Sequence, residues 1–316
     1  MSRKELTVLL LLVLLCAIVA VASPQFLSVG NLQNMARLVG AYGIFSIGVG
    51  IVIITGGIDL SIGSICALLG VLLSMMLIEW RLPPLAALAA TVAAGAVLGA
   101  IHGLLITRLR LQPFIVTLCG LLLYRGLARY AADDTTRGFG SGAGFEWLRS
   151  LASGSVAGVP APFLLLMAVA GIAWVVLHRS VYGRYLFAVG RNEEASRYSG
   201  IDTRAVVTGA YIISGGLAAL SAIVIAFYTN SISPSSHGNF YELYAIAAAV
   251  VGGCSLRGGE GTVLGIVIGA ALLQVIRNLV NLLDIPSSLD FAVMGAVILT
   301  GAIADQVFRP SSMRGR

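Results

Sequence analysis

The stretch Thr55-Gly56-Gly57-Ile58-Asp59-Leu60-Ser61-Ile62-Gly63 interrupts two long apolar runs with glycines, a carboxylate and a serine. A carboxylate beside lipid is costly, so Asp59 belongs in protein, in a water-lined cavity or at an interface. The glycines permit backbone that is not helical, which a membrane tolerates only inside protein or beside water. A second stretch, Gly252-Gly253-Cys254-Ser255-Leu256-Arg257-Gly258-Gly259, has the same form. Laid on the first without a gap, it pairs Gly56 with Gly252, Gly57 with Gly253, Leu60 with Leu256 and Gly63 with Gly259. Paired glycine-interrupted segments point to a transport path in a two-part membrane protein. Ordinary turns between membrane helices also use glycine. The candidate path and gating residues are therefore Gly56, Gly57, Asp59, Ser61 and Gly63, with Gly252, Gly253, Ser255, Gly258 and Gly259.

A third informative place lies in the polar loop 178–204. Asn192 can cap a helix whose first turn holds Glu193 and Glu194, and Gly200 can end it. Carboxylates in a first turn favour the helix dipole. A short capped helix of this kind suits either a partner's groove or a plain solvated connection.

The elements that must position these residues are membrane helices. The 316 residues are 58% hydrophobic and only 11% charged, against roughly 25% charged in an ordinary soluble domain. Apolar runs recur at 6–22, 38–55, 62–78, 85–106, 114–124, 163–177, 205–228, 244–251, 262–276 and 291–303. They predict an all-α polytopic bundle of about ten spans with glycine-interrupted segments. Several late runs are shorter than a perpendicular span and must borrow flanking residues or be broken helices. The first run resembles a signal core ending in Ala20-Val21-Ala22, but its length favours retention as the first span. The fifth run is cut by Arg125 and Arg129, expected at an interface or snorkelling toward it. The polar stretch 132–160 divides a single transmembrane domain, residues 1–316, into pseudo-halves of about 1–160 and 161–316.

Charge sets the topology. The formal charge is +6, yet the basic residues form no patch with interleaved aromatics, so nucleic acid is not an expected partner. Arg108, Arg110, Arg179, Arg184, Arg191, Arg197 and Arg204 fall on loops of the side shared by Arg3 and Lys4, which predicts both termini in the cytoplasm. By the same parity both glycine stretches open from that side, whereas an inverted repeat would put them on opposite sides. Gly95, Gly99 and Gly103 form one small-residue row on the fourth span and suit close contact with another helix.

Several chemistries are excluded or unsupported. Lys4 is the only lysine, so there is no Walker A loop and ATP hydrolysis is not expected on this chain. No HExxH or GxSxG occurs, and His102, His178 and His237 are far apart, leaving no catalytic residue and no metal ligand set to name. The four cysteines are scattered and predict no disulfide. An ion-coupled carrier using Asp59, Glu242 or Glu260 is the alternative within transport, and a passive channel would share the glycine breaks. Asp59 itself fits a cap or hinge at the start of the third span, or a solute ligand. Arg257 fits either a partner contact or a topology charge.

Residues 194–200, Glu194-Ala195-Ser196-Arg197-Tyr198-Ser199-Gly200, resemble the EAA-xxx-G coupling motif of ABC importer permeases, with Ser196 in place of the second alanine. The glycine stretches resemble the GGIDLSVG and GGTSLxGGxGT signatures of the branch that imports ribose, xylose and galactose-type monosaccharides. Cys254 stands where that branch has threonine, and the run from Glu242 to Ala248 resembles its ELDAIAA with Tyr244 replacing the aspartate. The resemblance covers residues 26–304. It implies an inner-membrane permease, paired with a second permease chain, that receives a small polar solute from a periplasmic solute-binding protein. It also implies an ABC ATPase subunit docked on Asn192, Glu193, Glu194, Ala195, Ser196 and Gly200. ATP and Mg would then sit on that partner, with no cofactor held by this chain.

Overall fold

A computed structural model describes residues 3–140 and 144–284, with a few scattered positions from 286 to 299. The expected tenth span, 291–303, lies largely outside the described residues, and Arg309, Arg314 and Arg316, which the charge bias would also put in the cytoplasm, lie wholly outside them. Eight described helices are long and apolar enough to cross a membrane. They are α1 (Arg3–Ala22), α2 (Val29–Ile54), α3 (Ile62–Ser74, continued by a π-helical turn Met75–Glu79), α4 (Pro84–Arg108) and α5 (Pro113–Ala131), then α7 (Ala161–His178), α10 (Thr203–Thr229) and α12 (Val263–Leu282). Four shorter helices join them: α6 (Glu146–Ser153), α8 (Val181–Arg191), α9 (Glu193–Tyr198) and α11 (Tyr241–Val251). The sequence thus marks nine of the apolar runs as helices in the right places, and the eighth of them, α11, is too short to span.

Local signals explain the starts. Ser28 Oγ accepts from the Asn31 backbone at 3.3 Å, Asp202 Oδ1 from Ala205 at 3.1 Å, and Thr262 Oγ1 from Gly265 at 3.0 Å, each at the head of a long helix. Proline opens α4, α5 and α7, where its missing N–H has no intrahelical partner to lose.

The helices form an inner and an outer set. In α2, α3, α10 and α12 most of the membrane window is buried, 83%, 78%, 72% and 67%. In α1, α4, α5 and α7 the figures are 11%, 22%, 28% and 28%, so these four turn apolar side chains outward, as a lipid solvent allows. The core around Phe45, Ile51, Ile65, Tyr211 and Ile266 draws on helices from both sides of residue 160. The row Gly95, Gly99, Gly103 faces α10, where an added Cβ would overlap the Gly215 carbonyl, the Tyr211 carbonyl and Thr208 in turn. Backbones there approach closely, as the spacing predicts.

The bundle has two ends. One carries α8, α9 and both glycine stretches. The other carries α6, a hairpin of Ser155–Val156 with Val159–Pro160, and the pairing of Arg137–Gly138 with Ser231–Ile232. At that second end Arg129 grips Asp134 with two bonds of 2.9 and 2.6 Å, which holds the Asp134 carboxyl below its usual range. Arg129 is thus interfacial, as expected. Arg125 is not: its guanidinium turns inward and donates to the carbonyls of Pro234 and His237 at 2.8 and 2.6 Å. Two bare carbonyls on a segment inside the bundle supply a better partner than the membrane interface.

Candidate translocation and coupling site

The segment between α2 and α3 leaves the helix at Thr55, turns at Gly56, and runs back into the bundle to Ser61. Asp59 is 1% exposed. Its Oδ1 accepts from the Ser61 N–H at 3.0 Å and from Ser61 Oγ at 2.6 Å, and its Oδ2 accepts from Ser214 Oγ at 3.0 Å. The carboxylate therefore fixes the turn into Ser61, the residue before α3, and ties it to α10, while the first turn of α3 itself takes no side-chain cap. Beyond it, Ser61 Oγ lies 3.4 Å from His102 Nδ1, and His102 Nε2 lies 2.9 Å from the Tyr124 hydroxyl. A polar chain thus crosses from α10 through the start of α3 to α4 and α5. The Tyr211 hydroxyl donates to the Ile58 carbonyl at 3.1 Å and closes the same segment from α10.

Gly63, the second residue of α3, meets Gly238, which lies in the segment before α11. That segment dips into the bundle from the α6 end and turns at Gly238 and Phe240, whose φ angles are +76° and +63°. The 11 residues of α11 then rise about 16 Å at 1.5 Å per residue, roughly half a bilayer core. Two interrupted helices therefore start against each other inside the bundle. Glu242, in the first turn of α11, is buried beside Gly63.

The second glycine stretch follows α11. Gly252 packs against the Gly265 carbonyl on α12, and Gly253 lies beside Lys4. Ser255 is buried, and its N–H donates to the Glu260 carbonyl at 3.1 Å. Lys4 Nζ reaches Glu260 at 3.1 Å, and Thr262 Oγ1 donates to Glu5, so the head of α1 is fastened to this loop.

The two stretches meet. Gly259 donates its N–H to the Ile54 carbonyl at 2.8 Å, and a Cβ on Gly258 would lie 2.8 Å from the Gly56 nitrogen. Both loops occupy one end of the bundle, so the internal likeness is not an inverted one. Gly190 in the last turn of α8 sits in the same knot, where an added Cβ would overlap the Ile54 carbonyl and lie 2.5 Å from the Gly259 nitrogen. Gly258 needs its positive φ of +85° as well as the space.

One residue beyond α8, Asn192 Oδ1 accepts from the Ala195 N–H at 2.9 Å and caps α9. Gly200 ends it at φ +83°. Glu193, Glu194 and Ala195 are exposed, Tyr198 is 85% exposed, and Ser196 is buried with its hydroxyl turned to the Asn192 carbonyl at 2.9 Å. The Glu193 carboxylate accepts from Thr203 Oγ1 at 3.1 Å and joins α9 to the head of α10.

Gly56, Gly258 and Gly259 thus come together beside Gly190, while Asp59, Ser61 and Gly63 lie deeper in the bundle. Gly57 sits between the two groups, facing the Tyr211 hydroxyl. Sequence reasoning missed Gly190, His102, Tyr124, Ser214 and Arg125. His102 sits one residue before Gly103 on the small-residue row, which was its only sequence signal. No group of three or more metal-binding side chains occurs among the described residues.

Eight described helices long and apolar enough to span a membrane, two interrupted helices and an exposed capped helix that follows α8 fit a polytopic membrane permease subunit. Residues 31–301 match the family described as branched-chain amino acid transport system / permease component, and the chain belongs to it. It is 37% identical over 296 residues to the ribose import permease protein RbsC of Haemophilus influenzae, covering 93% of this chain and 90% of that one. It is 39% identical over 308 residues to RbsC of Escherichia coli, covering 96% and 94%. The D-allose transport system permease protein AlsC of Escherichia coli is 33% identical over 299 residues, covering 94% and 90%. No solved structure matches the chain.

Proposed function

We propose that this chain forms half of the membrane pore of an ATP-driven ABC importer and carries a neutral monosaccharide of the ribose or allose type. The relatives named for ribose and allose import support the solute class. One observation carries the coupling: Gly190 touches Ile54, where α2 gives way to the first glycine loop, and Gly259 in the second, and it stands three positions before α9. A partner ATPase docking on Asn192, Glu193, Glu194, Ala195, Ser196 and Gly200 would move α9 and, through α8, press on Ile54, Gly56 and Gly259 together. The loops would then shift as one and free or close the path past Gly57, Asp59, Ser61 and Gly63. On the second stretch, Gly252, Gly253 and Ser255 would hinge α11 against α12.

In this reading the α8 end faces the cytoplasm of a bacterium, together with the N-terminus, and the α6 end receives solute from a periplasmic binding protein. A second permease chain completes the pore, and ATP and Mg are bound by the ATPase. Asp59 acts as a hinge tie, because three donors already occupy its carboxylate. That occupancy favours the importer over an ion-coupled carrier.

The deciding experiment is uptake of labelled monosaccharides into proteoliposomes, with the ATPase and the binding protein each added or omitted. Uptake of one sugar that needs both, needs ATP on the ATPase side and is lost in Glu194→Ala together with ATPase co-purification supports the reading. Uptake by this chain alone, driven by a proton or sodium gradient, overturns it.

A further inference from the structure

Away from the glycine loops, a cavity of about 110 Å³ lies among α2, α7, α10 and α11 toward the α6 end. Its walls include Arg37, Tyr42, Pro162, Tyr228, Thr229 and Tyr241. The Tyr42 and Tyr241 rings meet edge to face with centroids 5.0 Å apart, so they form one stiff aromatic wall. Tyr228 is fixed by donating its hydroxyl to Asn34 Oδ1 at 2.7 Å. Arg37 is different: its Nε is buried and has no hydrogen-bond partner among the described residues.

A buried donor left without an acceptor is costly, and native proteins keep few of them. In a cavity wall, such a donor calls for a ligand acceptor. At ~10–15 Å³ of cavity space per water the cavity holds several waters, room for a small polar ring. Rigid aromatic surface suits the C–H face of a sugar ring, and a guanidinium suits its hydroxyl oxygens.

We propose that this cavity is a solute subsite that takes one neutral monosaccharide ring, with Arg37 Nε–H donating to a ring hydroxyl between the Tyr42, Tyr228 and Tyr241 walls. It rests on the sugar-import reading and adds the place where solute is held between the α6 end and the glycine loops. Its position fits that order. The cavity lies at the start of α7 and the end of α10, and Tyr241 opens α11, whose first turn touches Gly63. A ring leaving it inward would meet the junction of the two interrupted helices next.

The test uses the permease assembled with its ATPase in nanodiscs, without binding protein. A ribose analogue carrying a diazirine is photolysed with the complex, and labelled peptides are mapped by mass spectrometry. Label on peptides spanning 34–45 and 224–242, competed by excess ribose and at least fivefold weaker in Arg37→Gln, supports the subsite. Arg37→Gln removes a donor that bonds to nothing through Nε, and co-elution of its ATPase checks assembly. A second variant, Ala41→Leu, fills the cavity from a wall residue and must weaken the same label. Label that ribose competes but that falls elsewhere overturns the subsite. So does label displaced only by a sugar acid, which would mark an anion site. Wild-type import of ribose in the full assembly separates the two inferences. If import occurs and the label misses this cavity, only the subsite fails; if no neutral monosaccharide is imported, both fail.

Discussion

Gly259 and Ile54 share a backbone hydrogen bond of 2.8 Å that joins the second glycine loop to the last turn of α2. Gly190 presses on the same two residues from α8. Three segments distant in sequence therefore converge on one backbone contact, and none of them can move far without the others. This is a rigid junction, since each contact is main chain against main chain and no side-chain rotamer can absorb a shift.

Gly190→Ala should break that junction. The added methyl meets a carbonyl and a nitrogen that are themselves hydrogen-bonded, so overpacking should cost about 1–3 kcal/mol. Thermal unfolding of the detergent-solubilised protein measures the loss, and uptake should fall by tenfold or more even where the ATPase still co-purifies. Wild-type melting together with wild-type uptake would show that α8 is not wedged against the loops.

Asp59 separates two kinds of substitution. Asp59→Ala strands the Ser61 N–H and two hydroxyls in a buried site, at a cost on the order of 3 kcal/mol, and lowers the yield of folded protein. Asp59→Asn keeps one acceptor and the side-chain shape, so it should fold and retain a measurable part of its uptake. If Asp59→Asn folds normally but makes uptake insensitive to ATP and dependent on an ion gradient, the hinge role is wrong.

Much of the fold was legible because membrane spans are written in runs of apolar residues. The cap at Asn192 and the stop at Gly200 are local side-chain chemistry of the same readable kind, whereas the Asp202 cap on α10 emerged only in the structure. The junction was not legible. Gly190 is one glycine among 38, and its meaning comes from backbone atoms of α2 and of the loop after α11. His102, Tyr124 and Ser214 were hidden for the same reason, because a polar chain across four helices leaves no spacing in sequence. Arg125 misled in the opposite sense: an arginine near a helix end reads as interfacial, and only the inward-dipping segment before α11 gives it carbonyls to bind.

The row on α4 gives a sharp contrast between two glycines. Gly99→Ala places a methyl against the Tyr211 carbonyl on α10 and should destabilise by about 1–3 kcal/mol. At Gly126 on α5 nothing lies within 4 Å of an added Cβ. Gly126→Ala should therefore be neutral or stabilising by up to about 1 kcal/mol, the usual gain for alanine over glycine in a helix. Melting temperatures of the two variants in one detergent check this, and equal shifts would mean that α4 and α10 are not in backbone contact.

Arg125 should prove to be a positioning residue for the segment that leads into α11. Its guanidinium holds two carbonyls at once, Pro234 and His237, and lysine offers a single point charge that cannot span both. Arg125→Met leaves both carbonyls unsatisfied, at about 1–3 kcal/mol for each buried group, and Arg125→Lys should recover only part of the loss. A cysteine placed at Ser235 reports the consequence directly, because its labelling by a membrane-impermeant maleimide should speed up severalfold in Arg125→Met and less in Arg125→Lys. Unchanged labelling in both would mean that the segment is held by its own turns at Gly238 and Phe240, and that Arg125 serves some other group.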